Sequence, residues 1–86
     1  MTKLDTILTD FNISNEALVL FVQLASDAGN WNGQPLLPDL TPQGKGFLTD
    51  LKKKGLVSTF TGEGCQWVNF EARGEQLAEH LNIQLN

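Results

Sequence analysis

Residues 48–57, Leu-Thr-Asp-Leu-Lys-Lys-Lys-Gly-Leu-Val, constrain this chain more than any other stretch. Phe47, Leu48 and Leu51 keep helical spacing, and lysines gather in the last turn, where the helix dipole is negative. Gly55 supplies the left-handed residue on which such a helix ends. Two runs rich in β-branched and aromatic residues follow, Leu56 to Thr61 and Gln66 to Glu71, with Gly62-Glu63-Gly64 between them as a turn. In the second run Val68 and Phe70 share one face, and Trp67 and Asn69 the other. A closing helix over residues 72–82 buries Leu77, Ala78 and Leu81. The order of lysine-rich helix, glycine, β-ribbon and helix leaves few architectures open.

Upstream, Leu4, Ile7, Leu8 and Phe11 sit at helical spacing, which predicts a leading helix over 2–11 with Thr2 as its N-cap. Asn12 to Ser14 breaks it. Ser14 then caps a core helix over 14–28, with Glu16 in the first turn. Its apolar stripe is Ala17, Leu18, Phe21, Val22, Ala25 and Ala28, widened by Val19, Leu20 and Leu24. Gly29-Asn30 ends it. From Asn30 to Asp39, Gly33, Pro35 and Pro38 forbid a long helix, so the segment reads as a loop or short edge strand, with Trp31 as a core plug. One helical turn over Pro38 to Leu40 would bury the leucines. Thr41-Pro42 is a helix start, and the helix spans 41–54 with Gly44 facing inward. Gly44 and Gly46 weaken its first turn by about 1 kcal/mol each.

With 86 residues and a hydrophobic fraction of 41%, the chain makes one packed domain without repeats. The net charge of −4 excludes a protein that coats nucleic acid indiscriminately. A single cysteine, Cys65, asks for no oxidising compartment. The start of the chain lacks the order of a signal peptide, and the apolar run from Ala17 to Val22 is too short to span a bilayer. A soluble, cytoplasmic protein is expected.

From about residue 41 to 81 the chain resembles the MarR-like winged-helix transcription regulators. Those proteins end a recognition helix on leucine, two basic residues, glycine and leucine or isoleucine. Leu51-Lys52-Lys53-Lys54-Gly55-Leu56-Val57 resembles that pattern, with three basic residues where it has two. Their wing leads to a junction of the form apolar-x-Leu-Thr-x-x-Gly, where Val68-Asn69-Phe70-Glu71-Ala72-Arg73-Gly74 stands here. The resemblance implies an α+β winged helix-turn-helix: a three-helix core, a two-stranded β-hairpin wing over 56–71 and a C-terminal helix. The chain departs from the pattern in its acidic wing tip at Glu63, in Glu71 at the capping position, and in segment 30–40, which replaces the first helix of the helix-turn-helix.

Four of the six basic residues, Lys45, Lys52, Lys53 and Lys54, fall on the candidate recognition helix. Steps of three and four place Lys45, Thr49 and Lys52 on its outer side with Lys53 beside them. In a winged helix that face enters the major groove of double-stranded DNA, with Gln43 or Thr49 reading bases and Arg73 anchoring a phosphate. The expected function is therefore a small DNA-binding transcriptional regulator. A homodimer follows from the regulators it resembles and from two amphipathic segments, 2–11 and 75–85. The alternative is a module that binds protein rather than DNA, which the acidic wing and net charge suit. Trp67 either faces outward, as a protein contact or dimer seam needs, or packs on a neighbouring helix. No catalytic residue, cofactor or metal is expected: Cys65 and His80 have nothing to fix them together, and Gly44-Lys45 lacks the rest of a phosphate loop.

Overall fold

A computed structural model describes residues 3–31 and 33–85, with the backbone alone for Lys3, Leu4 and Asp5. The expected Thr2 cap and the Leu4 side chain lie outside the described residues. The elements are α1 (Lys3–Phe11), α2 (Asn15–Ala28), a 3-10 turn (Gly29–Trp31), α3 (Pro42–Lys53), β1 (Val57–Gly62), β2 (Cys65–Phe70) and α4 (Ala72–His80). The class is α+β: among the described residues, four α-helices and one two-stranded antiparallel hairpin.

Local chemistry accounts for the starts of α2 and α3. The Ser14 hydroxyl accepts the Ala17 amide at 3.1 Å, and Thr41 does the same for Gly44 at 3.1 Å, with Pro42 in the first helical position. Three of the four helices stop in one way. Asn12, Gly55 and Asn82 take left-handed φ values of 55°, 73° and 58°. The amides of Ile13, Leu56 and Ile83 then return to Leu8, Leu51 and Ala78 carbonyls at 2.9–3.2 Å. Each stop throws an apolar residue back onto the helix it ended.

α2 lies at the centre. Ala17, Leu18, Leu20, Phe21, Leu24, Ala25 and Ala28 are buried, and Phe21 meets Phe70 edge-on at 5.5 Å. Val19 departs from the expected stripe: it is 51% exposed, because it sits on the far side of the helix from Phe21. α2 packs on α3 through Leu48 and Leu51, while Leu56, Val57, Val68 and Phe70 close the core from the ribbon. Burying side chains such as Leu51 and Leu77 contributes about 1.5–3 kcal/mol each. α1 packs against α4, so the two terminal amphipathic segments cover each other.

The hairpin turns on Glu63 and Gly64, both with positive φ (53° and 77°), and this two-residue turn fixes the register Gly62↔Cys65, Phe60↔Trp67 and Val57↔Phe70. Glutamate in that conformation costs roughly 1 kcal/mol. Segment 30–40 follows the edge-strand reading. Leu36 bridges Trp67, with the Leu37 amide on the Gln66 carbonyl and the Val68 amide on the Pro35 carbonyl, both at 2.9 Å. Pro35 lacks an amide hydrogen, which an edge position tolerates. Because this backbone is spent on β2, no helical turn forms over Pro38 to Leu40, and no α-helix lies between α2 and α3 among the described residues.

Candidate functional site

α3 offers one broad solvent face. With Leu48 and Leu51 inward, steps of about 100° per residue put Lys52, Lys45, Thr49, Lys53 and Gly46 in that order around one side of the helix, from beside Leu48 to the side away from the core. Lys45, Lys52, Lys53, Thr49 and Gly46 are exposed. Lys45, Thr49 and Lys52 also line a cleft of about 590 Å³, whose other wall is Leu37 to Leu40 and whose floor reaches Gln66. Among the described residues neither Lys45 nor Lys52 has an ion-pair partner. Asp39 on the facing wall is the acid nearest in the cleft lining.

The remaining expected site residues do not join this group. Gln43 is exposed and lies about 160° around the helix from Lys45, on the side of Gly46 and Lys53. The arginine expected to anchor a phosphate is used inside the fold: Arg73 donates to the Asp10 carbonyl at 3.2 Å and stacks 5.1 Å over the Phe11 ring. It pins α4 to the end of α1. Thr49 donates its hydroxyl to the Lys45 carbonyl at 3.0 Å, leaving only its lone pairs for a ligand. Glu71 caps nothing; its Oε1 accepts the Ser58 hydroxyl at 2.7 Å and ties α4 to β1 instead.

Gly44 and Gly46 divide. A Cβ at Gly44 meets the Leu40 Cβ at 3.3 Å, so close packing explains it, whereas a Cβ at Gly46 meets nothing within 4 Å. A bare glycine on an exposed helix face costs stability without any packing return. Gly46→Ala is therefore expected to raise stability by about 0.5–1 kcal/mol, or roughly 4 °C in Tm. Thermal unfolding checks this; a fall in Tm would show that Gly46 serves the fold.

The outer face of the ribbon holds what residue patterns left unresolved. Trp31 is not a core plug: it is 42% exposed, its indole donates to Asp27 Oδ2 at 2.9 Å, and its ring meets Trp67 at 5.4 Å. Phe60 beside Trp67 is 41% exposed and Leu36 on the other side 36%. The two-residue turn was the available signal, since it fixes Phe60 opposite Trp67 on the face away from Val68.

Among the described residues no cluster of His, Cys, Asp and Glu could hold a metal ion, and no helix is long and apolar enough to cross a membrane. Cys65 is exposed beside the turn, whereas His80 packs edge-on to Phe11 at 5.9 Å. Comparisons with protein-family models, curated proteins and solved structures found no match.

Proposed function

We propose that this chain is a winged-helix DNA-binding protein, a cytoplasmic transcriptional regulator that lays the outer face of α3 in the major groove. The supporting observation is the exposed face itself: Lys45 and Lys52 stand on one side of Thr49 and Lys53 on the other, with the bare Gly46 beyond Lys53, so cations flank a short polar side chain. A groove about 12 Å wide admits a helix, and rim lysines meet its phosphates. The proposed readers are Lys45, Thr49, Lys52 and Lys53, with Gln43 on the Gly46 side of the helix and Arg73 engaged with Asp10 and Phe11. The acidic wing tip at Glu63 is repelled by phosphate, so α3 alone makes the contact.

A titration of mixed-sequence duplex against salt tests this. Binding is expected at about 50 mM salt, and Lys45→Ala with Lys52→Ala together are expected to weaken it on the order of tenfold and to lower the salt slope by about 2. Absence of binding, or a double variant that binds as the parent does, contradicts it.

A second reading has its own observation. The exposed Trp31, Phe60 and Leu36 around Trp67 make the apolar surface that a protein partner needs. The same surface suits a homodimer, since α1 and α4 pack against each other. Sedimentation equilibrium distinguishes monomer from dimer.

A further inference from the structure

We infer that the pocket between the 3-10 turn and the ribbon binds a cationic side chain, an arginine or lysine presented by a partner protein. This rests on the protein-docking reading and names the partner's chemistry; it is independent of what α3 binds. The pocket measures about 400 Å³ and is lined by Asn30, Trp31, Gln34, Phe60, Glu63 and Trp67. Three aromatic rings form its walls, with the two indoles inclined at 66°.

The hydrogen bonds within the wall decide what it can take. The Trp31 indole N–H is spent on Asp27 Oδ2 at 2.9 Å, and that of Trp67 on the Gly62 carbonyl at 3.0 Å. Asn30 donates from Nδ2 to Asp27 Oδ1 at 3.3 Å, and Gln34 from Nε2 to Asn69 Oδ1 at 3.1 Å. Each of the four donor-bearing side chains thus gives a donor inward. What is left on the lining is one N–H and the carbonyl oxygen of each of the Asn30 and Gln34 amides, the Glu63 carboxylate and the ring faces, so its only charge is negative. Such a lining asks for a ligand rich in donors and positive in charge. The Asp27 carboxylate on the Trp31 N–H pushes electron density into that ring, which strengthens its attraction for a cation.

Glu63 adds a second argument. Its left-handed φ of 53° suits glycine or asparagine better, yet a carboxylate stands there, on the pocket lining. The same rings would stack a nucleobase, but the phosphodiester attached to it would meet Glu63. Charge therefore selects a basic peptide over a nucleic acid strand. Leu36, next to Trp67 and 36% exposed, extends the apolar wall for the residue beside the cation.

The test is a titration of the whole isotopically labelled chain at about 150 mM salt, followed by NMR at the two indole N–H signals. The probes are Ac-Leu-Arg-Leu-NH2 and its citrulline counterpart, which keeps the shape and loses the charge. The arginine peptide is expected to shift both indole signals saturably and to bind at least about fivefold more tightly than the citrulline peptide. Glu63→Gln and Phe60→Ala, both at exposed positions, are each expected to remove most of that preference, while Lys52→Ala leaves it unchanged. Equal affinity for the two peptides overturns the inference while leaving an apolar docking face. Indole signals unmoved at millimolar peptide overturn both. A single-stranded oligonucleotide that moves the indoles when the peptide does not also overturns it.

Discussion

Gly74→Ala is expected to cost about 3 kcal/mol, an unusually large effect for one added methyl group. Gly74 is buried in the first turn of α4, and a Cβ there runs into the carbonyl oxygen of Leu56. That carbonyl cannot withdraw. It accepts the Glu71 amide at 3.0 Å, and Leu56 is itself fully buried behind the left-handed Gly55. Relief comes only by lifting α4 from the junction of α3 and β1, which also strains the Ser58–Glu71 bond. The expected fall in Tm exceeds about 10 °C. Calorimetry on the variant checks it, and a loss below about 1 kcal/mol would mean that α4 is not seated as described. Gly74 thus has a physical reason: two backbones touch.

Phe21→Ala is expected to cost about 3–5 kcal/mol, a large part of the whole stability of a domain this size. Phe21 is fully buried at the middle of α2 and packs edge-on to Phe70, so it joins the central helix to the ribbon. Deleting it leaves a cavity between two elements that have no short covalent link. Urea unfolding should show a much lower midpoint or no cooperative transition. Val19→Ala, on the same helix but 51% exposed, should stay within about 0.5 kcal/mol of the parent. If the two variants behave alike, α2 does not lie at the centre of the core.

Much of this fold is written in short words of sequence. Ser14, Thr41-Pro42 and Gly55 each act within a few residues of themselves, so helix starts and stops are readable without knowing the tertiary structure. The ribbon is equally local, because a two-residue turn sets its register. What escaped depends on partners far along the chain. Segment 30–40 reads from its glycine and prolines as a loop or short edge strand, but its partner, β2 some thirty residues later, is announced by no local pattern. Arg73 looks like a free cation until Asp10 and Phe11, sixty-odd residues away, come to meet it. Trp31 is large and apolar, which argues for the core, yet its indole finds Asp27 one helical turn back and stays at the surface.

The candidate site divides along the same line. The common face of Lys45, Thr49 and Lys52 follows from helical spacing, and the same spacing already places Gln43 off that face. The aromatic pocket needs three separate segments to converge, so strand alternation set Trp67 on the face away from Val68 and Phe70 but did not bring Phe60 and Trp31 to it.

The most direct measurement of the central proposal is an amide chemical-shift map of the labelled chain on addition of a mixed-sequence duplex at low salt. The proposal expects the largest shifts at Lys45, Gly46, Thr49, Lys52 and Lys53, with Phe60 and Trp67 unmoved. Shifts confined to the ribbon face, or no shift along α3 at all, would contradict it.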